Sequence, residues 1–157
     1  MGSATDLTER IRKLEDRHDV ARVLTLYGRY ADSGDHDAFV SLFTDGAVIR
    51  LIGGTPSGAY GDVAEWIGRE RIREYIDDPT MHMKIEGRCM HFPALNLTVD
   101  VEGDGATADS YSLVLLREQD TTTIYGAGFT HWRLVRREGR WRISERVRVA
   151  IGTKPGG

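Results

Sequence analysis

The sequence predicts an α+β fold in which N-terminal helices pack in a strongly curved antiparallel sheet. Three observations carry this. Apolar residues recur at helical spacing through the first third of the chain. The second half divides into four long strand-like segments with short, turn-rich connections. The two patterns are segregated along the chain rather than alternating, which is the α+β arrangement. Such a sheet can curl around the helices and leave a pocket for a small molecule between them.

The elements follow in order. Thr5 or Asp6 can cap the first helix, with Glu9 near the capping-box position. Leu7, Ile11 and Leu14 then recur at helical spacing, and after "EDRHD" the stripe resumes with Val20, Val23, Leu24, Tyr27, Tyr30 and Ala31. This reads as one long helix or as two with a break near His18. "SGD" ends it, and "HDAFVSLF" is a short second helix. "TDGAVIRLI" is the first strand. "GGTPSGAYGD" is a loop, and "VAEWIGRERIREYIDD" reads as a third amphipathic helix that Pro79 stops. "GRCMHFPALNLTVDV", "ATADSYSLVLLRE", "TIYGAGFTHWRLVR" and "WRISERVRVAI" are the four later strands, arranged as an antiparallel meander. No repeat or linker divides the chain. A single domain over residues 1–157 is expected, with its core at about 8–150 and flexible tails at 1–7 and 152–157.

Composition narrows the class. The chain has 157 residues, 40% apolar and 29% charged, as in a soluble globular domain with a real core. The net charge of −3, with both signs interspersed, gives no reason to expect nucleic acid or an anionic membrane as partner. One cysteine, Cys89, excludes an internal disulfide and is compatible with a cytoplasmic location. "MGSATDLTERIRKLEDR" has no apolar signal core, and no stretch is long enough to span a bilayer.

Strand parity sorts the candidate chemistry. His91 shares a face with Leu95, Leu97 and Val99, which reads as the inner face, although Pro93 marks a place where parity can slip. Glu145 shares a face with Trp141, Ile143, Val147 and Val149 and is a lone carboxylate there. The opposite face, with Arg142, Arg146 and Arg148, reads as a solvated sheet surface. His131 lies in a segment where both faces are mixed, so parity leaves its direction open. On the first helix Tyr27 sits in the middle of the apolar stripe and Asp32 falls to one side, at the helix end.

A histidine on an apolar wall can act as a general base when a carboxylate fixes its tautomer and stabilises the imidazolium. A tyrosine hydroxyl can donate to a developing oxyanion. His91, Asp32 and Tyr27 are the right types for this; the bland alternative is a satisfied core histidine. Asp35 and Asp37 read as caps of the second helix. Other chemistries have less support. Cys89 and His91 are only two ligands for a metal. The glycine-rich loop matches neither a phosphate-binding loop nor a dinucleotide fingerprint. Met81, Met83 and Met90 could form a soft lid over an apolar ligand, or simply fill the core.

The runs "R..V..VL..Y.RYADSGDHDAF..LFTDGAVI", "MHFPALNLTVDVEGDGATADSYSLV" and "GRWRISER" resemble the SnoaL-like branch of the nuclear-transport-factor-2-like superfamily over roughly residues 8 to 150. The resemblance implies a cone-shaped α+β barrel that assembles as a dimer or trimer. It is nearest to the group of scytalone dehydratase, bile-acid 7α-dehydratase and hexachlorocyclohexane dehydrochlorinase. Those enzymes pair an aspartate at the end of the first helix with a histidine at the start of the strand after the third helix. The matching positions are Asp32 and His91, and a helix tyrosine of the bile-acid enzyme matches Tyr27. The resemblance thus turns Asp32 inward, where periodicity left it at a boundary. A further aspartate of the bile-acid enzyme is replaced here by Ser112 or Val114, and the second histidine of scytalone dehydratase has no match.

The expected function is a cofactor-independent lyase or isomerase, of dehydratase or cyclase type, acting on a small oxygenated hydrophobic molecule such as a polyketide, steroid or terpenoid. His91, Asp32 and Tyr27 would be catalytic. Tyr30, Trp66, Met90, Ser112, Phe129, His131 and Glu145 would line the substrate site. No metal or other cofactor is expected. A homo-oligomer is expected because a sheet face bearing Trp132 and Leu134 would need covering. The alternative is a binding or assembly module with the same fold and no chemistry.

Overall fold

The computed structural model describes residues 3–55, 58, 60–78 and 87–154. Helix α1 is continuous over Ala4–Ser33, so the two-helix reading falls. It starts earlier than expected, inside the stretch read as a flexible tail. Ser3 is its cap, accepting from the Asp6 N–H at 3.3 Å, and neither Thr5 nor Asp6 takes that role. Gly34 ends it in the left-handed conformation at φ 72°. The buried stripe is Val20, Leu24, Tyr27, Gly28 and Ala31, as the periodicity predicts. Leu7, Ile11 and Leu14 are exposed, because α1 is uncovered as far as residue 15 and meets the sheet only from Asp16 onward.

Helix α2, His36–Ser41, is capped by Asp35, whose carboxylate accepts from the Ala38 N–H at 3.0 Å. Strand β1 follows at Phe43–Ile52. The expected third helix over residues 63–78 divides. Val63–Ile67 is strand β2, paired antiparallel with β1, and only Arg69–Asp77 is helix α3. Gly68, at φ 86°, separates them. The β-branched and aromatic content of "VAEWI" favours a strand once an edge is available, and tertiary pairing overrides the helical spacing. The expected stop at Pro79, and Met81 and Met83, lie outside the described residues. Strands β3 (Cys89–Glu102), β4 (Gly105–Glu118), β5 (Thr121–Arg137) and β6 (Arg140–Ala150) form the predicted meander.

The six strands make one sheet in the order β2-β1-β6-β5-β4-β3. All neighbours are antiparallel except β1 and β6, which are parallel, so the sheet is mixed. It curves around the helices and is an α+β cone. The core is Val20, Leu24, Tyr27 and Ala31 of α1, Phe39 of α2, Ile72, Tyr75 and Ile76 of α3, and the inner sheet residues Ile49, Ala108, Trp132, Leu134 and Ile143. Trp132 and Leu134 are therefore core and not an exposed face. A buried polar anchor fixes α1 on the sheet. Asp16 accepts from the Arg136 Nη1 at 2.5 Å and from the Trp141 Nε1 at 3.2 Å. No helix among the described residues is long and apolar enough to cross a membrane.

Two bulges decide which side chains look inward. In β3 the pairing shifts around Leu95, next to Pro93, and Asn96 takes φ 51°. Between β5 and β6 the register shifts, so that Arg133 faces Glu145 while Leu134 faces Ile143. The extra residue reverses the parity of the rest of β6. Arg146 and Arg148 are buried on the inner face, and Glu145 is turned outward.

Candidate active site

Asp32 stands in the last turn of α1 and His91 is the third residue of β3. A single close approach brings them together. Gly28, one helical turn before Asp32, lies against β3, where a Cβ would come within 2.8 Å of the His91 carbonyl oxygen and 2.9 Å of the Pro93 Cδ. Only glycine lets the helix approach this closely. Asp32 then reaches His91 twice over. Its Oδ1 is 2.6 Å from the His91 Nδ1, and the His91 backbone N–H donates to both carboxylate oxygens at 3.1 Å. In the neutral imidazole a carboxylate at this distance holds the ring proton on Nδ1 and leaves the lone pair on Nε2.

His91 pairs across the sheet with Val114, which shares its parity with the buried Ser112, so the imidazole belongs to the inner face. The imidazole is largely buried, and the carboxylate is one-quarter exposed at 26%. A cavity of about 630 Å³ opens beside the pair. Thr25, Arg29, Asp32 and Ser33 line it from α1, and Cys89 to Leu95 line it from β3. The volume falls within the range of small-molecule sites. Cys89 belongs to this wall. Burial pushes its thiol up to about 12, and the neighbouring Asp32 charge adds to the shift, so it is a neutral thiol and not a nucleophile at neutral pH. No group of three or more metal-ligating side chains occurs among the described residues.

The other candidates fall in three places. Met90 lines the cavity. Tyr27, Tyr30, Trp66 and Ser112 belong to the interior. Tyr27 packs its ring on Phe39 at 4.8 Å and Trp132 at 5.5 Å, and it lies beside the Tyr75 phenol. Trp66 packs on Tyr75 at 4.5 Å, and Ser112 accepts from the Thr130 hydroxyl at 3.3 Å. Phe129, His131 and Glu145 are on the outer face. Phe129 is exposed beside Tyr111, His131 pairs with Asp109 at 2.8 Å, and Glu145 pairs with Arg133 at 3.3 Å. Their expected place in the substrate site is thus corrected: the β5–β6 bulge turns Glu145 away, and Phe129 and His131 have the outward parity of β5.

The interior contains what the sequence reading missed. Arg146 and Arg148, read there as a solvated surface, are 6% and 8% exposed. The Arg146 guanidinium carbon lies 4.9 Å from the Tyr27 ring centroid and 5.4 Å from that of Trp132. Tyr75 stands beside both arginines. Burial, followed by the proximity of Tyr27, pushes its phenol far above the usual range. Nothing in the spelling "RISERVRV" signals the bulge, and without it parity gives the wrong face.

A cone of this topology, helices cupped by a curved six-stranded sheet, defines a class of small α+β proteins. The SnoaL-like domain family matches residues 12–147, and the chain belongs to that family. Among solved structures, an NTF2-like protein with a cystatin-like fold from Novosphingobium aromaticivorans is 30% identical, with TM-score 0.85 over 99% of this chain and 94% of that one. A protein of unknown function from Mycobacterium tuberculosis is 25% identical, with TM-score 0.73 over 87% and 77%. A protein from Catenulispora acidiphila, solved in complex with S-DNPA, is 22% identical, with TM-score 0.71 over 87% and 94%, and shares the fold. A search of curated proteins found no match.

Proposed function

We propose that the protein is a cofactor-independent lyase or isomerase, of dehydratase or cyclase type, acting on a small oxygenated hydrophobic molecule. The observation that carries this is the doubly anchored Asp32–His91 pair beside a cavity of about 630 Å³. His91 Nε2 takes a proton from a carbon next to a carbonyl or leaving group. Asp32, fixed against Nδ1, stabilises the imidazolium. In an elimination the C–H electron pair forms the new double bond, the C–O bond breaks, and the departing oxygen takes the proton back from His91. In an isomerisation the same proton returns to a different carbon. Tyr27 is the candidate donor to the substrate oxygen, acting from the interior side beside Tyr75.

The test is a metabolite screen with the purified protein, read by mass spectrometry for loss of water or isomerisation, followed by His91→Ala and Asp32→Asn. Each variant is expected to lose about 10²–10⁴-fold in turnover while staying folded. Full turnover in both folded variants sinks the proposal. A binding module without chemistry needs no carboxylate on its histidine, and the 2.6 Å contact favours the catalytic reading. The chain is read as one domain, cytoplasmic, and a homo-oligomer. The exposed Tyr111–Phe129 pair on the outer sheet face supports assembly, and light scattering tests it.

A further inference from the structure

Two arginines inside the cone lack a counter-charge among the described residues. The Nε and Nη1 of Arg146 are buried without a hydrogen-bond partner among the described residues. Arg148 donates one N–H to the Ala127 carbonyl at 3.0 Å, and burial, then the neighbouring Arg146 charge, depresses its pKa. The other groups that perturb Arg148 are the phenols of Tyr75 and Tyr27, and no carboxylate is among them. The nearest acid in sequence, Glu145, is engaged by Arg133 on the other face. Removing two guanidinium groups from water without an anion is unfavourable, and the aromatic faces of Tyr27 and Trp132 offset only part of it. Arginine also presents a planar fork that matches a carboxylate in two-point contact.

We propose that Arg146 and Arg148 bind an anionic oxygen group of the substrate, a carboxylate, inside the cone. The inference deepens the functional reading by naming a substrate class: an organic acid whose ring system reaches from the arginines toward His91. The sheet order supports this division. His91 is on β3 and the arginines are on β6, three strand spacings or about 14 Å across the curved sheet, and the pairing sets Arg148 a further four residues, about 13 Å, along the strand direction. Thr130 pairs with Arg148 and bonds Ser112, while Val114, next on the same face, pairs with His91. A polar seam thus runs across the inner face between the two ends. The molecule would be held by its acid group at one end and present an acidic C–H to the base at the other.

Binding measured apart from turnover tests this. 2-Naphthoate and its neutral analogue 2-naphthamide are titrated into the protein by calorimetry, with intrinsic tryptophan fluorescence as a second readout. Naphthoate is expected to bind at least tenfold more tightly than the amide. Arg148→Gln is expected to remove that preference and leave the amide unchanged. Arg146→Met is expected to do the same and to raise the melting temperature of the ligand-free protein, since it deletes a buried unpaired charge. Equal affinity for acid and amide, or a preference that survives both substitutions, overturns the proposal. Inorganic phosphate displacing naphthoate with equal affinity also overturns it, since the site would then serve a free inorganic anion. His91→Ala is expected to retain naphthoate binding, so the anion site can stand even if the catalytic reading fails.

Discussion

Gly28→Ala tests the contact on which the candidate site depends. In an ordinary exposed helix this change stabilises by about 1 kcal/mol through helix propensity. Here the new Cβ would sit 2.8 Å from the His91 carbonyl oxygen, where ordinary contact begins at 3.4 Å. The obstructing atom is backbone, so α1 must retreat by roughly half an ångström. The two His91 amide contacts to Asp32, now at 3.1 Å, would then stretch to about 3.6 Å, beyond hydrogen-bond range, while the ring contact at 2.6 Å would survive. A charged hydrogen bond is worth about 1.5–3 kcal/mol. Set against the propensity gain, the net expectation is a loss of about 0.5–2 kcal/mol. Urea denaturation measures it, and hydrogen exchange at the His91 amide should accelerate. Gly46→Ala, where a Cβ meets nothing within 4 Å, is the control and should stay within about 0.5 kcal/mol. If Gly28→Ala stabilises by about 1 kcal/mol with His91 exchange unchanged, close packing does not fix the pair.

Three further outcomes are expected. Asp16→Ala should destabilise by about 2–3 kcal/mol in urea, because it strands the buried Trp141 N–H; Arg136 keeps Asp104 at 2.9 Å, which limits the loss. Asp16→Asn keeps an acceptor and should lose clearly less, and equal losses would contradict this account. The Cys89 thiol is raised from 9.0 to about 12 on folding, so its contribution to stability is present below pH 9 and declines as pH rises from 9 toward 12. At pH 10 the decline should be on the order of 1 kcal/mol after allowance for the open cavity mouth, and Cys89→Ala should abolish it, as pH-dependent denaturation will read. Iodoacetamide at pH 7.5 should modify Cys89 far more slowly than a free thiol, and rapid labelling would contradict a neutral, buried sulfur.

The legible parts of the fold are those where one local rule acts alone. The stripe Val20, Leu24, Tyr27, Ala31 gave the core face of α1, and turn-rich breaks gave the four long strands. The failures have identifiable physical causes. Residues 63–67 have helical spacing but find an edge of β1 to pair with, and no local pattern reports a distant edge. Leu7, Ile11 and Leu14 keep the period of a buried stripe along a part of α1 that no sheet covers. Parity places Arg146 and Arg148 on the wrong face because one bulge residue reverses every side chain after it. Asp32 is the instructive case. Periodicity places it at the edge of the apolar arc, and it is indeed partly exposed, yet it meets His91 because Gly28 lets the helix end lie against β3.

The parallel pairing of β1 with β6 has a kinetic consequence. Phe43 to Ile52 cannot complete its hydrogen bonding until Arg140 to Ala150 is available, almost one hundred residues later. During synthesis the first strand, with its buried Ile49 and Leu51, must wait for the last one to emerge. Closure of that long loop makes folding a late and concerted event rather than a stepwise one from the N-terminus. A chain shortened by even the last strand would leave β1 and β5 each with an open edge, and its expected fate is association with other chains.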